Sequence, residues 1–114
     1  MVYMVEKSVE IKGKAVKFKE LVEYQKAAVV SRTVIDKNTG TVTLFAFDEG
    51  EGLSEHTTPF DALVVDLDGK VEVKIAGIGN KLEEGDMIIM PANKPHALKA
   101  LTKFKMMLVM IKTK

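Results

Sequence analysis

Alternating hydrophobic and polar residues divide most of this chain into short strands. Val71, Val73 and Ile75 share one face of a predicted strand, and lysine and glutamate occupy its other face. Runs rich in β-branched and aromatic residues predict two earlier strands, residues 27–35 and 41–47. The polar, glycine-containing turn between these two runs predicts that they form a hairpin.

Short apolar runs predict the remaining strands. Further strands are predicted at residues 62–67, 87–90, 96–100 and 104–111. Turns rich in glycine or proline separate them, and the segment after Leu67 is the Asp-Gly type typical of hairpins. Residues 1–14 are expected to form an arm or a first strand, and residues 16–28 to contain at most a short helix. About eight short strands with little helix predict an all-β barrel or sandwich.

Size and charge narrow the class of protein. The 114 residues are the length of one domain, with 17 basic against 16 acidic residues and a net charge of +1. This balance argues against a nucleic-acid partner or a membrane-surface partner. The absence of cysteine excludes disulfides and thiolate chemistry. With no signal-like or membrane-spanning run, a cytoplasmic location is the expectation.

The candidate chemistry rests on the two histidines of the sequence. His56 and His96 each follow a strand-like run and a turn, which predicts two strand ends converging on one pocket. Imidazole is a common metal ligand, and a pair with a carboxylate would suit a divalent Zn, Fe, Ni or Mn ion. The alternative is that both histidines only line the pocket.

The spacing around each histidine resembles a known family. The segment 50–69, in which five residues separate Gly50 from His56, resembles the first cupin motif, and the segment 85–100 resembles the second. The resemblance implies a single domain over residues 1–114 with a cupin-like jelly-roll β-barrel, commonly a homodimer. It also implies metal-dependent enzymes, such as dioxygenases and isomerases, as one class of function.

Several motif positions depart from the family pattern. Thr58 stands where the second histidine ligand is expected, Ala62 stands at the place of the acid, and Asn93 replaces a glycine. Two of the four ligands of a typical cupin metal site are therefore absent or displaced. Asp61, next to Ala62, is the best candidate for a third ligand beside the two histidines.

Strand alternation puts the role of Asp61 in question. Positions 56, 58 and 62 should share one face and position 61 the other, unless Pro59 shifts the alternation. The alternative role for Asp61 is to accept a hydrogen bond from a backbone N–H in the loop. Asp66 is a second candidate on the inward face, although a solvent-facing acid at a strand end is the favoured interpretation.

Hydrophobic residues near the histidines complete the predicted pocket. Phe60 and Met90 are expected to contact a bound ligand, whereas the other methionines of the last strands are expected in the core. No nucleophile–base set or phosphate loop is visible. The sequence predicts a homodimeric protein that binds a small molecule, with a divalent metal as a candidate cofactor. The alternative is a metal-dependent dioxygenase or isomerase.

Overall fold

The computed structural model describes residues 2–6 and 10–112, and residues 7–9 of the predicted arm lie outside them. This part of the chain forms one 3₁₀ turn, Phe18–Glu20, and ten strands. The strands are β1 Val2–Val5, β2 Ala28–Lys37, β3 Gly40–Phe47, β4 Gly52–His56, β5 Ala62–Asp68, β6 Val71–Ile75, β7 Ile78–Leu82, β8 Met87–Met90, β9 His96–Ala100 and β10 Phe104–Ile111. The prediction of an all-β fold is confirmed.

The strands form two sheets that pack face to face as a jelly roll. One sheet has the order β1-β2-β3-β10-β5-β8 and the other the order β4-β9-β6-β7. All pairings are antiparallel except the parallel pairing of β1 with β2. The core between the sheets includes Phe47 and Phe104, whose fully buried rings lie 5.4 Å apart. Alternation places Phe45, Phe47 and every second residue of β10 from Phe104 on this inner face.

Two strands of the smaller sheet do not follow from the sequence pattern. Strands β4 and β7 occupy segments where the pattern predicts turns. Both strands are sheet edges with mostly exposed residues, so neither shows the alternation that a half-buried strand requires. The predicted helix within residues 16–28 is reduced to the 3₁₀ turn.

The segment before β2 covers part of the outer face of the larger sheet. Val22 is buried against Leu44, Ala46 and Leu67 in a hydrophobic cluster on that face. The Tyr24 hydroxyl donates a hydrogen bond to Asp68 Oδ2 (2.5 Å). Burial, and then this hydrogen bond to Asp68, raise the pKa of Tyr24 well above its usual range.

Asp66 is buried inside the jelly roll, with 2% of its surface exposed, so its interpretation as a solvent-facing acid is wrong. It follows the alternation of Ala62 and Val64, which both face the core. The pairing with β10 slips at Leu67, which has no partner opposite it. Neither carboxyl oxygen of Asp66 has a hydrogen-bond partner among the described residues. Burial raises the pKa of Asp66 to about 7, against the lowering effect of the nearby backbone N–H of Asp68, and the acids 68, 86 and 84 raise it further.

Candidate functional site

The two histidines are cross-strand partners. His56 is the last residue of β4, His96 is the first residue of β9, and the register of these strands pairs them directly. Their Nε2 atoms lie 3.2 Å apart. The ring centroids are separated by 4.4 Å, and the ring planes are inclined by 73°. The predicted convergence of two strand ends is what brings these two side chains together.

The outer ring nitrogens fix the tautomer of both histidines. His56 Nδ1 lies 2.8 Å from the carbonyl oxygen of Ser54, and His96 Nδ1 lies 3.2 Å from that of Lys94. A carbonyl oxygen only accepts hydrogen bonds, so each Nδ1 must be the protonated nitrogen. In a neutral imidazole this leaves Nε2 without a proton. The two unprotonated Nε2 atoms therefore lie 3.2 Å apart, an arrangement that a cation or a proton bound to both of them would stabilise.

The surroundings of His96 favour its neutral form. The residue is 2% exposed, and desolvation lowers its pKa. The neighbouring positive charge of protonated His56 lowers this pKa further. A proton is therefore a poor occupant of the gap between the two Nε2 atoms.

The separation of the two nitrogens fits a shared metal ion. With metal–nitrogen bonds of about 2.0–2.1 Å, two atoms 3.2 Å apart subtend roughly 105° at the metal, near the tetrahedral angle. Within residues 2–6 and 10–112, however, no group of three His, Cys, Asp or Glu side chains could hold a metal. A metal ion at this point would have two histidine ligands, and any further ligand must be a group other than the side chain of His, Cys, Asp or Glu.

Asp61 is engaged elsewhere. Its Oδ1 accepts a hydrogen bond from the backbone N–H of Ala92 (2.9 Å), and the residue is exposed. Asp61 thus has the alternative role given for it above, the acceptor of a loop N–H, and not that of a metal ligand. Alternation through Pro59 is preserved, because Thr58 and Ala62 line the histidine pocket. The structure does not bring Asp61 to the histidine pair.

A small cavity of about 90 Å³ lies beside the histidine pair. Its lining residues are Leu53, His56, Thr58, Ala62, Met90, His96, Leu98, Met106, Leu108 and Met110. Met90 thus lies where the sequence predicts it, whereas Phe60 is not among the described lining residues. The sequence analysis missed Met110 as a lining residue, although the alternation of β10 puts it on the inner face with Met106.

A comparison with protein-family models gives one clear assignment. The cupin domain model matches residues 43–112, which covers both histidine segments. The chain belongs to the cupin family. The resemblance predicted from the two motifs is confirmed. A comparison of this cupin with curated proteins gives no match.

Solved structures support the same fold. A conserved protein of unknown function from Streptococcus pyogenes is 33% identical to this cupin, over 90% of both chains, with a TM-score of 0.86. A cupin superfamily protein from Desulfitobacterium hafniense is 24% identical over 90% of this chain and 94% of its own, with a TM-score of 0.85. A cupin 2 conserved barrel domain protein from Leptotrichia buccalis is 37% identical and has a TM-score of 0.80. It matches 82% of this chain and 46% of its own length.

The turn between β8 and β9 ties the two cupin motifs together. Asn93 has a φ of 65°, a left-handed conformation that asparagine tolerates better than most residues. This accounts for asparagine at the position where the family pattern has glycine. The backbone N–H of Asn93 donates to the carbonyl oxygen of Thr58 (2.7 Å), which links the loop after β4 to the loop before β9.

A larger depression, about 460 Å³, lies elsewhere on this cupin. Its described lining comes from one segment, Val16–Glu20, and contains no histidine. Specific small-molecule sites need polar groups that converge from several elements, and this depression offers none. The smaller histidine cavity is therefore the better candidate site. In the described part of the chain no helix is long and apolar enough to cross a membrane.

Proposed function

We propose that this cupin binds one metal cation on the His56–His96 pair, and a small molecule in the adjoining cavity. The observation that carries the proposal is the pair of facing Nε2 atoms, 3.2 Å apart, with both Nδ1 atoms turned onto backbone carbonyls. This arrangement directs two neutral donors at one point. The predicted candidates Zn, Fe, Ni and Mn all accept imidazole.

The cavity limits the size of the ligand. Liquid water takes about 30 Å³ per molecule, so a cavity of about 90 Å³ holds roughly three waters or a ligand of a few heavy atoms. Thr58 and the two histidines are its polar lining residues. A bound cation would supply a Lewis acid for an oxygen atom of that ligand. The ligand class that fits is a small oxygenated molecule, not a drug-sized one.

Binding is favoured over catalysis by the composition of the lining. The described lining residues include no carboxylate, so the two histidines are the cavity's groups for proton transfer, and in the proposed complex both of their Nε2 atoms are bound to the metal. Asp61 caps a loop, and Asp66 is not among the lining residues. A purely structural role would give the paired histidines no function. Small-molecule binding with a metal is therefore the function that these residues support best.

We also infer that two copies associate through the outer face of the larger sheet. An uninterrupted row of aliphatic side chains crosses five of its strands: Ile89, Leu63, Val109, Val42 and Ile35. Both ends of the row are more than half exposed, at 54% for Ile89 and 51% for Ile35. Strand β1 is also wholly hydrophobic and exposed. A soluble monomer rarely exposes an apolar patch this extended, and an isologous partner would cover it.

The binding proposal is tested by titration of the metal-free protein with Zn²⁺, Fe²⁺, Ni²⁺, Mn²⁺ and Cu⁺, each against a competing chelator. We expect one equivalent of at least one ion to bind, and His56→Ala to abolish that binding. Thr57→Ala, which changes the next residue of the chain, is the matched control and should bind as the wild type does. The proposal is wrong if no ion binds, or if His56→Ala binds as well as the control.

A further inference from the structure

The inner face of the larger sheet carries a short row of three residues opposite the histidine pair. Ala62 of β5 pairs with Met90 of β8 on one side and with Met110 of β10 on the other. The methyl group of Ala62 is small, so the two longer side chains flank a hollow. All three residues line the cavity beside the histidines. The two thioethers of this row therefore share the cavity with two imidazoles from the other sheet.

These four side chains form a donor set without negative charge. The described lining residues include no carboxylate, and the remaining ones apart from Thr58 are aliphatic or Met106. The cost of taking an ion out of water rises with the square of its charge. A divalent ion in this cavity would keep its full charge among neutral ligands and apolar walls. A monovalent ion would carry a much smaller desolvation cost.

The chemistry of the donors points in the same direction. Thioether sulfur is a soft ligand that favours Cu(I), whereas Mn and Mg prefer oxygen ligands. The roughly 105° that the two Nε2 atoms subtend, with bonds of about 2.0 Å, is too small for two-coordinate linear binding. The geometry thus calls for further ligands. Met90 and Met110 are the lining residues that offer them from the opposite sheet.

We propose that the cavity is a Cu(I) site in which His56 and His96 supply two nitrogens and Met90 and Met110 supply thioether sulfur. The inference rests on the proposed metal binding by the histidine pair and names the ion. Met106 also lines the cavity, but it lies four residues from Met110 along β10, opposite Asp66, and outside the row of Met90, Ala62 and Met110. Met107, on the opposite face of the same strand, packs in the outer cluster and takes no part.

The test is a titration of the metal-free protein with Cu(I) under anaerobic, reducing conditions, with bicinchoninate as the competing chelator. Zn²⁺ affinity is measured in parallel. Met90→Leu and Met110→Leu keep the side-chain volume nearly constant, and Met107→Leu is the matched control. Thermal unfolding followed by circular dichroism establishes that each variant is folded. X-ray absorption of the copper-loaded protein reports directly on copper–sulfur bonds.

We expect Met90→Leu and Met110→Leu each to weaken Cu(I) binding by at least about tenfold. Even the loss of a residue that only hydrogen-bonds to a metal ligand lowers metal affinity by about 10–100-fold. Their Zn²⁺ affinity should stay within about twofold of the wild type, since the histidines are unchanged. Met107→Leu should change neither affinity. The copper–sulfur signal should be present in the wild type and lost in the double variant.

Other outcomes separate the two proposals. If Zn²⁺ binds through the histidines while Cu(I) affinity is insensitive to Met90 and Met110, the Cu(I) inference is overturned and the proposed metal binding stands. If neither ion binds the wild type, the Cu(I) inference is overturned, and the proposed metal binding is overturned as well if Fe²⁺, Ni²⁺ and Mn²⁺ also fail to bind. A copper-loaded wild type without a copper–sulfur signal also overturns the inference, whatever the affinities are.

Discussion

The side chain of His96 is buried, whereas that of His56, its cross-strand partner, is exposed. The pair therefore spans the boundary between the core and solvent. His96 is anchored by the packing around it, and His56 closes the site from the outer edge of the smaller sheet. The two residues should contribute about equally to metal binding and very differently to the stability of the fold.

Substitution of each histidine by alanine should separate these two contributions. His96→Ala leaves a hole in the core, and we expect it to lower the free energy of unfolding by about 1–3 kcal/mol. His56→Ala removes an exposed side chain and should change it by less than about 0.5 kcal/mol. Both variants should lose metal binding. Urea unfolding together with metal titration checks this, and a His56→Ala protein that does not fold would contradict it.

Gly52 controls the approach of β4 to β9. A Cβ at this position would lie 2.1 Å from the carbonyl oxygen of Leu98, a contact that neither backbone can relieve without moving. Gly52→Ala should push β4 away from β9, lower the free energy of unfolding by roughly 2–4 kcal/mol and weaken metal binding. Gly50 has open space around it, so Gly50→Ala should cost only the strain of its φ of 84°, about 1–2 kcal/mol. Equal metal affinity in the two variants would contradict the account.

Asp61→Asn tests the ligand role that the sequence predicts for Asp61. Asparagine keeps an oxygen that can accept the N–H of Ala92, so the loop should hold and the stability should change little. Metal affinity should remain within about twofold of the wild type, since the carboxylate caps the loop. An affinity loss of tenfold or more in the titration would mean that Asp61 moves to the metal when one binds.

The buried carboxyl group of Asp66 makes stability depend on pH. Its pKa is about 7 in the folded protein, against about 3.9 in an unfolded chain. Between these two values the folded state holds a proton that the unfolded state has released. The stabilising contribution of protonated Asp66 to the free energy of unfolding is therefore fully present below about pH 4 and is lost as the pH rises through 7.

Asp66→Asn should remove this dependence, because the amide stays neutral throughout. We expect the variant to be more stable than the wild type at pH 8, by on the order of 1–3 kcal/mol, and close to it at pH 4. Guanidinium unfolding at the two pH values measures the difference. Asp61→Asn, at an exposed carboxylate, is the control. A variant less stable than the wild type at pH 8 would show that the ionised carboxylate is stabilised in the fold.

If two copies associate through the outer face of the larger sheet, a charged side chain placed on that face should separate them. Ile89→Arg places a cation in the aliphatic row and should convert a wild-type dimer into a monomer. Ile78, on the edge of the smaller sheet, is 70% exposed, and Ile78→Arg should leave the dimer intact. Light scattering coupled to size-exclusion chromatography gives the mass of each protein. A monomeric wild type, or an Ile89→Arg variant that stays dimeric, would refute the inference.

The sequence predicts most of the larger sheet because β2, β3 and β10 are runs of β-branched, aromatic and aliphatic residues. Strand alternation correctly places Thr58 and Ala62 in the pocket and Asp61 outside it. Edge strands β4 and β7 escape prediction because their exposed residues show no such pattern. The inward orientation of Asp66 also follows from alternation, but its charge argues against burial unless its pKa is raised.

The geometry of the histidine pair could not be predicted from the sequence. It depends on the register between β4 and β9, whose residues lie about forty positions apart, and on the backbone at Ser54 and Lys94, whose carbonyl oxygens each lie beside an Nδ1. The position of Met90 and Met110 on either side of Ala62 depends on the strand registers of β5 with β8 and of β5 with β10. Such long-range pairings are set by the whole fold and leave no local signal.

The central claim is that the His56–His96 pair binds a metal ion. Elemental analysis of the protein, purified without chelator and without a nickel column, tests it most directly. The account predicts close to one equivalent of a transition metal per chain, and none in His56→Ala purified in parallel. Protein that is free of metal, and that stays so after metals are added back, would contradict it.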